Sequence, residues 1–505
     1  MNNLKLHIEY LGEPEIEVGR GLTGYDPKRI LPVGGPLGMG RTEKTKMVRL
    51  GLVALLSEVD SVQSWIDQMH GLLIDDETNA RRFHEFPGLE KAFHSRFEIP
   101  DSCIRVLDEN DIKIALELPV HERFSRLLTI YTDAIDSLFV DQGPDCILVC
   151  FPEGVASLRV ANPGLTYQER RLLERMRDED NDRQLDLFEP TPAEKKAAEE
   201  LIPQADDLLF RNFHRALKAR CMLKPNCVPL QVLRRHTYIQ EEAIQSRATR
   251  AWNLAVAVYY KAGNIPWKPH NLPADTCFVG ISFHHLKRRS GDIVYSSLAQ
   301  AFSNEVEPFA LKGESVPRDQ VRHKRPYLTE RQSALLAHRV LEEYKSRRGG
   351  TFPQRVVTHK TSRFEPEEIA GFQGEFLPKV SACDLVWLVP TGFRLLRRGV
   401  EEPLRGTLCT IADEHNYLFT TGYVRWWHEY PGPHIPSPLQ IGVSGGQSDV
   451  EARAREILAL TKMNWNSADG IGRNPITLSF ARRVGITMTE IEENETPNPL
   501  YRFYM

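Results

Sequence analysis

His214 and Lys218 stand four residues apart in FHRALKAR, a spacing that sets both side chains on one face of a helix. Gln231 follows in VPLQVL, a strand-like or turn segment, and Lys261 closes the next helical stretch, TRAWNLAVAVYYK. Two cations, an imidazole and an amide converging on one point would grip a terminal phosphate dianion, which charge-assisted donors hold best. The same spacing also suits solvated side chains flanking a helix, where such pairs are common. A second stretch, TCFVGISF, reads as a buried strand and carries Ser282 where a strand-borne acid would do metal chemistry.

The elements that must hold these residues alternate. LKLHIEYL and IKIALELPV read as strands, and KTKMVRLGLVALLSEV reads as an amphipathic helix. DCILVCFPEGV is a short apolar run ended by Pro and Gly, the pattern of a buried parallel strand. Leu209, Phe213 and Leu217 form one stripe that predicts a helix with an aspartate cap. TCFVGISF, QRVVTHKT and DLVWLVP predict strands, and TERQSALLAHRVLEEYKSR and DVEARAREILALTKMNW predict helices. This alternation implies an α/β fold with a mixed sheet flanked by helices. PVGGPLGMGR reads as a loop, because its glycines follow no clear strand and form no dinucleotide cradle.

Composition bounds the rest. Hydrophobic residues at 41% and charged residues at 26% are ordinary for a globular chain of 505 residues. No apolar run approaches the ~20 residues that span a bilayer, and the N-terminus lacks a signal-peptide core, so a cytoplasmic protein without membrane contact is expected. The eight scattered cysteines lack zinc-knuckle spacing and read as reduced structural thiols. A net charge of -4 hides its distribution: residues 214–261 carry +7, while the charged, Pro-broken stretch 166–206 carries -5 and reads as a surface excursion. In YVRWWHEYPGPHIPSPLQI, Trp426 and Trp427 fit either base stacking or core packing, with packing favoured.

FHRALKAR, VPLQVL and WNLAVAVYYKAGNIPWK together resemble the MID domain and MID–PIWI junction of prokaryotic Argonautes, and CFVGISF, VVTHKTSRFEPEEIAGF, LALTKMNWNSADGIGRNPITLSFARRVG and YRFYM resemble the PIWI domain. The resemblance covers roughly residues 120–505, and its length is that of the short Argonaute class paired with an APAZ-containing effector. It implies a Rossmann-like MID domain over 121–265, an RNase H-like PIWI domain over 266–505 and a small mixed α/β, partner-facing N-terminal region over 1–120. It assigns His214, Lys218, Gln231 and Lys261 to the guide 5′-phosphate, with the main-chain end at Met505 folding back to share a Mg²⁺ with the guide phosphates. The acids of a two-metal nuclease would fall at Ser282, Lys360 and Arg482, none of which is acidic, so no catalytic residue is expected. The implied partners are a 5′-phosphorylated guide RNA, a single-stranded DNA target and an effector subunit in a heterodimer. That effector is a SIR2 or TIR NADase that depletes NAD in defence against plasmids and phages. The alternatives are a nuclease effector, or a chain that is itself a guide-dependent nuclease.

Overall fold

The computed structural model describes residues 5–505 except 41–43, 75–78, 140–142, 162–209, 241–244, 288–292, 304–306, 318–319, 323–324, 400–401, 413–414, 433, 447–448 and 493–494. The acidic stretch 166–206 therefore lies outside the described residues, as does Leu209. The first strand, β1 (Leu6–Tyr10), belongs to the larger of two main sheets. Helix α1 (Pro27–Gly34) follows, so Pro32, Val33 and Gly34 are helical where a loop was expected, and Gly35 at φ +72° stops it.

The smaller sheet is parallel. β2 (Lys46–Leu55) lies at its centre, with β3 (Ser95–Glu98) and β4 (Ile104–Leu107) on one side and β5 (Cys146–Cys150) on the other. β6 (Leu230–Leu233) extends the sheet beyond β5. Leu50, Leu52, Val53 and Ala54 are all buried, as both faces of a central parallel strand must be. The helix expected across this stretch is thus a strand that passes straight into α2 (Leu56–Gln68). The strand expected at IKIALELPV is instead α3 (Glu109–Glu117), because the Asp108 side chain accepts from the Asn110 and Asp111 amides and caps a helix. α4 (Val120–Asp136), α5 (Phe213–Met222) and α6 (Arg247–Lys261) complete this part of the molecule. α5 starts at Phe213 behind Asn212, not at an aspartate, because Phe210–Asn212 pairs as a short strand with Arg159–Ala161.

Strands on both sides of residue 120 share this sheet. β2, β3 and β4 contribute to it from the N-terminal side and β5 and β6 from the C-terminal side, while β1 joins the larger sheet.

The larger sheet contains β7 (Thr276–Lys287), β8 (Ile293–Phe302), β9 (Phe309–Val316), β10 (Arg355–Lys360), β11 (Ala382–Pro390), β12 (Thr407–Ile411), β13 (His415–Leu418) and β14 (Leu439–Gly445). Its order is β1-β12-β13-β14-β11-β10-β7-β8-β9, parallel at β7/β10 and β10/β11 and antiparallel elsewhere. α7 (Glu330–Arg347) and α8 (Pro366–Phe376) cover one face through Leu336, Val340, Phe372 and Phe376. α9 (Val450–Leu460) and α10 (Ile476–Met488) belong to the core of the opposite face. α10 lies so close to β7 that a Cβ on Gly280 would sit 1.9 Å from the Thr477 carbonyl oxygen. The segment between β1 and β2 straps onto this sheet: buried Glu13 pairs with Arg405 and Lys462, and Lys28 pairs with Asp469. All eight cysteines are free and seven are buried. No helix among the described residues is long and apolar enough to cross a membrane.

Candidate functional site

Each of the four residues expected to hold a phosphate is delivered by a different piece of regular structure or a different turn of it. His214 and Lys218 occupy successive turns of α5, Gln231 sits on β6, and Lys261 is the last residue of α6, where Ala262 and Gly263 (φ +87°) end the helix. The structure brings them to one cavity of about 350 Å³, also lined by Arg215, Asn466, Arg483 and Met505. Lys261 Nζ donates to Gln231 Oε1 at 2.6 Å and to the Leu230 carbonyl at 2.9 Å, so β6 fixes the ammonium. Lys218 Nζ donates to the Met505 carbonyl oxygen, which folds the last residue of the sequence into the same cavity.

The electrostatics are unbalanced. Lys218 and Lys261 are buried and His214 is half-buried, and among the described residues no Asp or Glu side chain pairs with either lysine. Burial and the neighbouring Lys261 and Arg483 charges push Lys218 well below the ordinary lysine range. Burial brings Lys261 down to about 8, against an opposing pull from Cys146. Burial, with Lys218 and Lys261 beside it, drives His214 far below the usual imidazole range, so the ring is neutral at pH 7. His214 Nε2 and Asn466 Nδ2 are buried without a hydrogen-bond partner. Confined cations without counter-charge, beside unused donors, make a site that an anion completes. Sequence reasoning missed Asn466 and Arg483, which come from a distant loop and from α10; no spacing rule links them to α5.

Arg483 also lines a second cavity of about 620 Å³, with Arg394, Arg405, Arg473, Tyr430 and His434 among its walls.

Of the three expected acid positions, Ser282 lies within β7, Lys360 ends β10 and Arg482 lies within α10. Ile281 is in register with Lys360, so Ser282 lies one residue beyond that pair. Arg482 lies on α10, and its side chain is outside the described residues. Lys360 is 2% exposed and donates to both oxygens of Glu368 at 2.6 Å, with the Phe283 and Phe364 rings 5.6 and 5.4 Å from its Nζ. Glu368 also accepts from the Leu328 amide at 3.1 Å and the Glu365 amide at 2.8 Å. Among the described residues no group of three His, Cys, Asp or Glu side chains could hold a metal ion. Trp427 is buried, with its indole N–H 3.4 Å from Asp26, and Trp426 lies between the Tyr25 ring and Lys462; both pack against the strap.

No family model matches the sequence, and no curated protein does. Solved structures do match. The Clostridium butyricum Argonaute bound to a guide DNA and a 19-mer target DNA aligns with a TM-score of 0.62 at 15% identity, covering 98% of this chain and 54% of that one. Aa-Ago with externally bound siRNA aligns at 0.55 and 14% identity over 98% of this chain and 56% of its own. The A. aeolicus Argonaute aligns at 0.54 and 13% identity, over 97% and 54%. The chain thus spans about half the length of the Argonautes it matches. Its two sheets have the fold of the Rossmann-like MID and RNase H-like PIWI domains of Argonaute proteins.

Proposed function

We propose that this chain is a guide-loaded sensor: it anchors the 5′-phosphate of a guide RNA between α5, β6 and α6 and recognises a single-stranded DNA target through base pairing. The observation that carries this reading is the pair of buried lysines, Lys218 and Lys261, set in one cavity with no Asp or Glu side chain among the described residues to neutralise them. A phosphate dianion supplies the missing charge, and the neutral His214 donates through its unused Nε2. The cavity that shares Arg483 continues the basic lining and offers the next phosphates a path. The protein reads backbone and shape while pairing reads sequence.

Mg²⁺ belongs to the proposal. The protein offers it one oxygen, that of Met505, which suits an ion that draws most ligands from phosphates and water. When bound it would screen the guide phosphates from one another. The anchoring charges come from Lys218 and Lys261 whether or not the ion is bound.

Ser282 and the Lys360–Glu368 pair support a PIWI cleft without nuclease chemistry, since an ammonium held against Glu368 repels a divalent cation where two-metal cleavage needs one. Activity would then reside in a partner, an APAZ-containing effector with a SIR2 or TIR NADase domain, acting in the cytoplasm.

The experiment compares 5′-phosphorylated and 5′-hydroxyl RNA of one sequence by filter binding at fixed salt, since such affinities shift steeply with ionic strength. The phosphorylated RNA binds more tightly, and Lys218→Ala or Lys261→Ala costs about 1.5–3 kcal/mol with that RNA alone, the worth of a hydrogen bond to a charged group. Equal affinity for both RNAs refutes the pocket. Defined cleavage of complementary DNA or RNA by the loaded chain in Mg²⁺ or Mn²⁺ refutes the silent cleft.

A further inference from the structure

Between β9 and α7 the chain makes a short antiparallel pair, Val321–Arg322 with Arg325–Pro326. It is clamped to the end of β10. Arg325 Nη1 donates to the carbonyl of Thr361, the residue after Lys360, and the Leu328 amide donates to the same Glu368 that holds Lys360. Arg322 lies over the Tyr327 ring, 4.6 Å from its centroid, and reaches the start of α8. There Nη1 donates to Glu365 at 3.0 Å, and Nη1 and Nη2 grip the two oxygens of Glu367 at 3.1 and 3.0 Å. Lys360 and Arg322 thus meet their carboxylates on different terms. Lys360 is 2% exposed, and burial commits it to Glu368. The Arg322 side chain is 37% exposed and that of Glu367 41%, so water screens their pair and little holds it closed.

Resting on the reading of the chain as a guide-loaded sensor, we propose that Arg322 contacts the target backbone and that Glu365 and Glu367 hold it in reserve. As the paired target passes over the ends of β7 and β10, a phosphodiester replaces the two carboxylates on the guanidinium. The planar fork serves carboxylate and phosphate alike, so the exchange needs no new geometry. The displaced carboxylates pass to water. Until then they oppose the arginine charge, and stray single-stranded DNA meets acids at this edge of the cleft. The acids therefore work against target binding and the arginine works for it. A purely structural ion pair cannot give the two partners opposite signs.

The test loads the full chain with a 5′-phosphorylated RNA and titrates complementary single-stranded DNA at a series of salt concentrations. Arg322→Ala lowers affinity for the DNA about tenfold and reduces the slope of log affinity against log salt by about one, as loss of one phosphate contact does. Glu367→Gln breaks the same ion pair from its other side and raises that affinity about two- to fivefold, the worth of an exposed pair. RNA binding is unchanged in both variants and reports their folding. If Arg322→Ala loses RNA binding as well, Glu367→Gln decides. A Glu367→Gln protein that binds the DNA no better than wild type overturns the assignment, as does a folded Arg322→Ala protein with the wild-type salt slope. A loaded wild type that does not bind the DNA refutes the sensor reading, and this assignment with it.

Discussion

Lys261 shows what a buried ammonium costs its fold. With a folded pKa of about 8 against an ordinary 10.5, the buried ammonium destabilises the ligand-free chain by about 3 kcal/mol at neutral pH. A depressed lysine exacts its full cost below the folded pKa, where both states hold the proton. The cost is relieved as pH rises from about 8 to 10.5, because the folded state releases its proton first. The free chain therefore gains stability over that window relative to a Lys261→Met variant, whose curve lacks this rise; urea denaturation at a series of pH values measures it. A bound 5′-phosphate lifts the lysine pKa, so the rise shrinks in the loaded protein. A rise unchanged by loading would argue that the phosphate does not reach Lys261.

At the next scale, β7, β10 and α8 meet around Lys360, whose ammonium Glu368 holds. Glu368 binds the ammonium and two backbone amides from different segments, so one carboxylate ties the end of β10 to the starts of α7 and α8. Removing only the lysine strands that carboxylate. Lys360→Ala is expected to destabilise the protein by about 3–5 kcal/mol, and Lys360→Met with Glu368→Gln recovers most of it, since a neutral pair needs no counter-charge. Chemical denaturation of the three proteins checks both statements. This junction was half legible: the strand positions of Ser282 and Lys360 followed from the apolar runs, whereas Glu368 on a following helix did not. Strands bounded by Pro, Gly or Asp, such as DCILVC and DLVWLVP, could be read because burial sets their pattern. KMVRLGLVAL could not, because a strand buried on both faces adjoins α2 with no turn residue between Leu55 and Leu56. IKIALE failed in the opposite sense: its alternation suggests a strand, but capping by Asp108 decides for helix. Helix periodicity set His214 and Lys218 on one face, whereas their meeting with Gln231 and Lys261 in one cavity followed from the resemblance and not from spacing. Asn466 and Arg483 join it only through tertiary packing, which no local pattern encodes.

Over the whole molecule, β1 forms one margin of the nine-stranded sheet and turns Leu6, Ile8 and Tyr10, exposed by 51%, 49% and 37%, to the same side. An apolar row on an edge strand invites another chain. If the APAZ effector covers it, co-expression with the adjacent gene product yields a complex that co-elutes on size exclusion, with an interface above ~2,000 Å² as permanent assemblies have. Ile8→Asp then weakens it without altering RNA binding. A chain that elutes alone beside that product would count against the pairing. The same margin has a consequence for biogenesis. Leu6 is in register with Ile411, so β1 pairs with a strand made about 400 residues later. At a synthesis rate of about 5–20 residues per second, that is a wait of roughly 20–80 s. Throughout it the nascent chain displays an unpaired, sticky β-segment. The larger sheet cannot close until β12 to β14 have been made, and production of this protein should depend on chaperones that shield nascent chains.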